Sequence, residues 1–284
     1  MIAVTGATGQ LGRLTIEALL SRVPASQLIA LVRNPAKAQD LAAKGVALRQ
    51  ADYSDPASLA KALVGVKRLL LISSSELGQR AAQHQAVIDA AQQAGIELLA
   101  YTSVLHADTS CLGLAAEHRA TEQALAASGL EYVLLRNGWY HENYTAGVPA
   151  ALEHGVLAGS AGHGKISSAA RADYAEAAAV VLTSEGHAGR TYELAGDDAY
   201  ELAELSALIG EQSGKAVQYQ DLPQGDYKAL LISVGLPEPV AELLADSDAA
   251  AAQGALFDDS RQLGELIGRP TTPIALAVGA ALKG

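Results

Sequence analysis

The stretch Met1-Ile2-Ala3-Val4-Thr5-Gly6-Ala7-Thr8-Gly9-Gln10-Leu11-Gly12 decides how this chain folds. Ile2 to Val4 form a short apolar run that reads as a buried parallel strand. After the glycines, Leu11, Leu14, Ile16, Leu19 and Leu20 recur at helical spacing. Strand, glycine turn and helix are what a nucleotide diphosphate needs. Gly6 allows the tight turn, Gly9 has no Cβ to block a pyrophosphate, and Gly12 lets the helix close on the sheet. The helix N-terminus then offers unpaired N–H groups and the positive end of its dipole. The spacing is Gly-x-x-Gly-x-x-Gly, and the bland alternative is a tight turn and nothing more; the flanking strand and helix favour the nucleotide reading.

Outward from this turn, strand and helix patterns alternate. Leu28–Val32 reads as a second strand, followed by a helix from about Pro35. Residues 46–51 read as a third strand, and Ser54-Asp55-Pro56 opens a helix through Leu63. Residues 68–72 form a fourth strand, with a helix over 79–93 that stops at Gly95. Residues 97–101 form a fifth strand, 114–127 a long helix, and 132–136 a sixth strand. Unbroken apolar strands alternating with helices predict an α/β, doubly wound parallel sheet covered on both faces. Ligands of such sheets bind beyond the carboxyl ends of the strands, which directs attention to Thr5–Leu11, Arg33, Asp52, Ser73–Ser75, Tyr101–Ser103 and Asn137 onward. Further along, the glycines of 155–164 read as a loop, 172–182 as a helix and 191–194 as a strand able to rejoin the main sheet; helices dominate from Asp197. The expected organisation is a nucleotide-binding Rossmann domain over 1–150, with 166–196 returning to it, and a smaller, mostly helical lobe over 151–284 that covers the substrate.

The end of the second strand discriminates between nucleotides. An acid there binds the ribose hydroxyls of NAD, whereas an arginine accepts the 2′-phosphate of NADP. Here the strand ends in Val32-Arg33-Asn34-Pro35, with Lys37 close by and no carboxylate. Arg33 has the fork geometry a phosphate prefers, against the alternative of a solvated loop charge. NADPH is therefore the expected cofactor. Asp52 is either an acceptor for the adenine amino group or a residue with an N-cap or loop role.

Thr5–Gly12, Val32–Pro35, Leu135-Arg136-Asn137-Gly138-Trp139-Tyr140-His141-Glu142-Asn143, Arg171-Ala172-Asp173-Tyr174, Phe257–Ser260 and Ile267–Thr272 together resemble the NmrA-like atypical short-chain dehydrogenases, most of all their bacterial quinone-reducing members. The resemblance covers nearly the whole chain. It implies a Rossmann domain that binds NADPH, a small C-terminal lobe, and reduction of a small quinone without a flavin. By position it also implies that Gly6, Ala7, Thr8, Gly9, Gln10, Leu11, Arg33, Ser73, Ser74, Ser75, Asn137, Gly138, Trp139, Tyr140, His141 and Glu142 line the cofactor.

Short-chain dehydrogenases usually place Tyr-x-x-x-Lys on the helix after strand five, where the lysine sits beneath the tyrosine and lowers its pKa. No tyrosine of this chain has a lysine four residues on. His118 stands where NmrA-like reductases often show a lysine. A quinone is easily reduced, so the protein need mainly hold the ring and stabilise charge on a carbonyl oxygen. Asn137 is the candidate donor to that oxygen, Trp139 and Tyr140 the candidate flat faces, and His118 the candidate proton source. The structural alternatives are a turn brace for Asn137, a core aromatic for Trp139 and a helix-surface residue for His118. A second functional class stays open: an NADP(H)-binding redox sensor that acts through a protein partner. So does a reductase of some other conjugated carbonyl or ether.

Composition narrows the remainder. Half of the 284 residues are apolar, and 31 Asp and Glu against 20 Lys and Arg give a formal charge of −11, which argues against nonspecific binding to nucleic acid or anionic membranes. Cys111 is the single cysteine and the seven histidines form no His-Glu-x-x-His, so neither an intramolecular disulfide nor a standard zinc site is expected. With no leader-like or bilayer-length apolar run, a cytoplasmic location is expected. The sequence also yields a direct test: Arg33→Ala should weaken NADPH roughly tenfold or more in a calorimetric titration, by loss of a charge-assisted hydrogen bond, and leave NADH nearly unaffected. Equal losses for both nucleotides would remove Arg33 from phosphate recognition.

Overall fold

A computed structural model describes residues 1–76 and 78–283. The chain divides into two compact units. The first comprises Met1–Ala107, Glu117–Asn137 and Arg171–Tyr192, and the second Asp108–Ala116, Gly138–Ala170 and Glu193–Gly284. In chain order the elements are β1 (Ile2–Val4), α1 (Gln10–Leu20), β2 (Leu28–Val32), α2 (Gln39–Ala43), β3 (Ala47–Gln50), α3 (Pro56–Ala62), β4 (Arg68–Leu71), α4 (Arg80–Ala94), β5 (Leu98–Val104), α5 (Ala115–Ala127) and β6 (Tyr132–Asn137). There follow α6 (His141–Thr145), α7 (Val148–His154), β7 (Val156–Gly159), α8 (Arg171–Thr183), β8 (Thr191–Leu194), α9 (Leu202–Ser213), β9 (Gln218–Asp221), α10 (Gln224–Ser233), α11 (Glu238–Ala251), α12 (Gln262–Ile267) and α13 (Ile274–Ala281). No helix among the described residues is long and apolar enough to cross a membrane.

The first unit is built on a seven-stranded sheet of order β3-β2-β1-β4-β5-β6-β8. Ile2 lies opposite Leu28 on one side and Arg68 on the other, both pairings parallel, so the chain reverses its winding direction at β1. The doubly wound fold expected from the sequence is the one observed. Side chains of a strand alternate between faces, and one face collects Ala3, Ile29, Leu31, Leu69, Leu71, Leu99 and Tyr101 against Leu59, Leu63, Val87, Ile88 and Leu125 of the helical side. Each fully buried leucine in that layer stabilises the fold by roughly 1.5–3 kcal/mol. Helices α1 and α8 pack together and against strands of this sheet.

Several expectations require correction. The fifth strand does not end at Tyr101; β5 runs to Val104. The polar pair Thr102-Ser103 continues the strand because both hydroxyls are satisfied there: Thr102 Oγ1 accepts from the Ser73 N–H at 2.9 Å, and Ser103 Oγ donates to Glu122 Oε1 at 2.6 Å. The helix expected from Pro35 is a short 3-10 turn, Pro35–Ala38, capped by Asn34 and followed by α2. The glycine-rich stretch 155–164, read as a loop, contains β7, which pairs in parallel with β9 in a separate two-stranded sheet of the second unit. Gly159 is there for space: a Cβ would come within 2.7 Å of Leu202 Cδ1 and 2.9 Å of Asp248 Oδ2. The rest of the second unit is helical, as expected, with α10 and α11 packed on each other.

The tightest approach in the first unit lies at the quoted stretch. A Cβ on Gly12 would sit 2.4 Å from the Gly6 carbonyl oxygen and 2.8 Å from Ala7 Cα, and backbone cannot step aside as a side chain can. Gly12→Ala should therefore lower the free energy of urea unfolding by about 1–3 kcal/mol and weaken nucleotide binding, because α1 must move off the turn. Wild-type stability in that variant would contradict the close approach.

Candidate nucleotide-binding site

Just after β1 comes the buried Thr5, whose hydroxyl accepts from the Ile72 N–H at 2.9 Å and contacts the Tyr53 hydroxyl. Tyr53 also donates to the Ile72 carbonyl at 2.8 Å. The ends of β1 and β4 and the loop after β3 are thereby tied together. Gly6 adopts φ +57°, in the left-handed region, and its carbonyl accepts from the Gly9 N–H at 2.9 Å. Gly9 caps α1 in an extended conformation with no side-chain hydrogen bond, and the first turn of α1 holds no acid. The N–H groups that begin α1 thus face no competing carboxylate on their own helix, and a diphosphate suits them.

Beside this turn lies a cavity of about 430 Å³, lined entirely from the first unit, a volume within the range of small-ligand sites. Its floor is Gly6, Thr8, Gly9, Gln10 and Leu11 with Gly12; Arg33, Asp52 and Tyr53 line one part, and Ser73, Ser74, Ser75, Glu76 and Gln83 another, with Arg171 also present. Gly9 and Gly12 border the cavity without a Cβ, and the donor set suits a dinucleotide carrying phosphates. Of the expected cofactor residues, Ala7 does not line the cavity: it is fully buried, with its N–H directed to the Leu31 carbonyl at 3.4 Å. Asp52 reaches the cavity but also closes a turn, its Oδ1 accepting from the Ser54 N–H at 2.9 Å.

The serine loop is held from behind. The Ser74 N–H donates to His84 Nε2 at 2.9 Å, and His84 Nδ1 meets Thr121 Oγ1 at 2.9 Å. The first bond makes Nε2 an acceptor, so the proton resides on Nδ1. Arg80 Nε donates to the Ser74 carbonyl at 2.7 Å while its Nη1 pairs with Glu117 at 3.0 Å. Ser74 Oγ donates to Gln83 Oε1 at 2.5 Å. Burial, with Arg80 adding to it, pushes the His84 pKa down to about 3.

His118 lies on α5, buried rather than at the helix surface. Its Nδ1 meets the Tyr101 hydroxyl at 2.7 Å, and burial, then Arg80 and His84, push its pKa down to about 3. At neutral pH this ring holds no imidazolium proton to give, and the geometry does not support the expected proton-source role. Asn137 ends β6 opposite Val104; its side chain is buried and its Oδ1 has no hydrogen-bond partner. A buried amide oxygen left unpaired is costly, which suits a ligand that supplies a donor.

Gly138, Trp139, Tyr140, His141 and Glu142 belong to the second unit and do not line the cavity. The backbone of this segment pairs with Ala169: the Ala169 N–H donates to the Trp139 carbonyl at 3.0 Å, and the His141 N–H to the Ala169 carbonyl at 2.9 Å. Trp139 is buried, Tyr140 and Glu142 half-buried. The His141 ring is engaged at both nitrogens, with Ser168 Oγ and with the Thr272 carbonyl, each at 2.8 Å.

A family model described as NAD(P)H-binding matches residues 6–185. This chain belongs to the NAD(P)H-binding family. Across 98% of its length and 97% of the relative's it is 63% identical to quinone oxidoreductase 2 of Escherichia coli strain K12. In structure it is similar to the NADPH-dependent quinone oxidoreductase of Escherichia coli complexed with NADPH, with a TM-score of 0.97, 62% identity and 99% of both chains covered. It is also similar to the Citrobacter sp. triphenylmethane reductase complexed with NADP(H), with a TM-score of 0.96 at 42% identity, covering 99% of this chain and all of that one (100%).

Sequence reasoning missed Tyr53, Glu76, Gln83 and Arg171 as cavity residues. Their signal was weak, since none sits in the glycine or strand-two motif. Glu76 alone was open to inference, standing just beyond the serines at a strand's carboxyl end.

Two of the buried histidines, His84 and His118, generate a pH prediction. Both have folded-state pKa values near 3, below the ordinary value of about 6.5. The unfolded chain therefore takes up protons that the folded chain refuses. Their contribution is fully present above pH ~6.5 and is lost as pH falls toward 3, at up to about 1.4 kcal/mol per pH unit for each. Urea unfolding between neutral pH and pH ~4.5 should show this slope, and His84→Gln should make it shallower. A slope unaltered in that variant would contradict a neutral, buried His84.

Proposed function

We propose that this chain is an NADPH-dependent quinone oxidoreductase that passes hydride to a small quinone and yields the hydroquinone without flavin or metal. The observation that carries this reading is the glycine-floored cavity with Arg33 at its rim, in a chain 63% identical to quinone oxidoreductase 2. When bound, NADPH supplies the hydride. The N–H groups of Gly9, Gln10 and Leu11 would hold its diphosphate, Arg33 its 2′-phosphate, and Ser73 to Ser75 the stretch between adenosine and nicotinamide. Asp52 is assigned to the adenosine end.

Asn137 is the one catalytic residue we assign. Its amide, with an oxygen left unpaired in the protein, orients the reacting groups and donates to the quinone oxygen on which charge develops. Tyr140, half-buried, is assigned as the flat contact for the quinone. Trp139 is assigned to the buried core instead, for want of an exposed face. The proton that completes the hydroquinone is taken from water, as the sequence has no Tyr-x-x-x-Lys and the His118 ring is neutral. That same lack of a built-in acid favours a second reading, a sensor that binds NADP(H) and signals through a protein partner.

The two separate in one assay. Flavin-free protein should oxidise NADPH saturably when a simple benzoquinone is added, and Asn137→Ala should lower kcat about tenfold or more while changing NADPH affinity little. Tight NADPH binding with no turnover on any quinone would support the sensor and contradict the reductase.

A further inference from the structure

Arg33 does not face the cavity alone. Its Nη1 lies 2.9 Å from Glu76 Oε1, and Glu76 is not swinging freely, because its Oε2 accepts from Gln83 Nε2 at 2.8 Å. Gln83 is itself held by Ser74, while Gln50 Nε2 steadies the Arg33 carbonyl at 3.2 Å. A carboxylate anchored at both oxygens thus occupies the side of the guanidinium fork that a phosphate would seek. Among the charged residues lining the cavity, Arg33 and Arg171 are matched by Asp52 and Glu76, so the lining offers an arriving phosphate no net positive charge.

We propose that Glu76, braced by Gln83, competes with the 2′-phosphate for Arg33 and so sets how strongly the site prefers NADPH over NADH. This rests on the assignment of Arg33 to the 2′-phosphate made above. A 2′-phosphate, doubly charged near neutral pH, must share or displace the Glu76 carboxylate and sits beside a like charge while it does so. A 2′-hydroxyl meets no such repulsion and can donate to the carboxylate. Glu76 therefore taxes the phosphorylated nucleotide selectively and narrows the discrimination that Arg33 alone would give. The sequence shows no carboxylate at the end of β2; the fold supplies one from the loop after β4.

The test is calorimetric titration of the full chain with NADPH, NADH, 2′,5′-ADP and 5′-AMP, none of which requires turnover. Glu76→Gln keeps the size and, with its amide oxygen toward Gln83, the hydrogen bond from Gln83 Nε2, while the charge and the acceptor facing Arg33 are lost together. It should tighten NADPH and 2′,5′-ADP by roughly two- to fivefold at low ionic strength, leave NADH and 5′-AMP unchanged or weaker, and lose most of the gain in high salt. The gain should shrink by about half or more in an Arg33→Ala background, where there is nothing left to compete for. If Glu76→Gln leaves the NADPH to NADH ratio unchanged or lowers it, while the wild type prefers NADPH through Arg33, the competition is overturned and the cofactor assignment stands. If the wild type does not distinguish the two nucleotides and Arg33→Ala changes nothing, both are overturned.

Discussion

The site depends on how closely α1 is allowed to approach the turn that precedes it. With a Cβ-sized gap missing between Gly12 and the Gly6–Ala7 backbone, the helix begins directly beneath the end of β1, and its first N–H groups border the cavity. Any side chain at Gly12 would press on the Gly6–Ala7 backbone and lift the helix off the turn. Stability and ligand binding are coupled at this point, since the contact that completes the packing also aims the unpaired donors.

A second layer of order comes from polar groups set mostly behind the cavity wall, with Gln83 alone among them also lining it. His84, Arg80 and Gln83, all on α4, converge on Ser74, and Thr121 and Glu117 of α5 hold His84 and Arg80 in turn. The serine loop thus inherits the rigidity of two helices. Such a network stabilises only when every member is satisfied. The neutral state of His84, enforced by burial, is part of that condition, because a charged ring could not accept from the Ser74 N–H.

The sequence made the fold legible where one signal dominated. β2 is an unbroken apolar run, β4 is one after Arg68, and the glycine turn sits between a strand and an amphipathic helix, so the doubly wound parallel sheet and a cavity at its strands' carboxyl ends followed from such stretches as Ile2–Gly12 and Leu28–Arg33. Legibility failed where two causes share one residue type. Gly159 resembles a loop glycine but answers to crowding inside β7, and Thr102 and Ser103 resemble a strand end but are paired within β5. His118 was read as a reactive position from its address on the helix, whereas its Tyr101 partner and its burial emerge only once the two elements pack. Glu76 is the instructive case for the site. It lies far from Arg33 in the chain, and only the return of β4 beside β1 brings its carboxylate to the guanidinium.

The central claim is that this cavity serves hydride transfer to a quinone, and transfer of a labelled hydrogen tests it most directly. Flavin-free protein mixed anaerobically with benzoquinone and NADPH deuterated at nicotinamide C4 should form hydroquinone and NADP⁺ in equal amounts. A primary isotope effect should appear on the single-turnover rate for deuterium on one nicotinamide face and not the other. Stoichiometric nucleotide binding without hydroquinone formation would contradict the account.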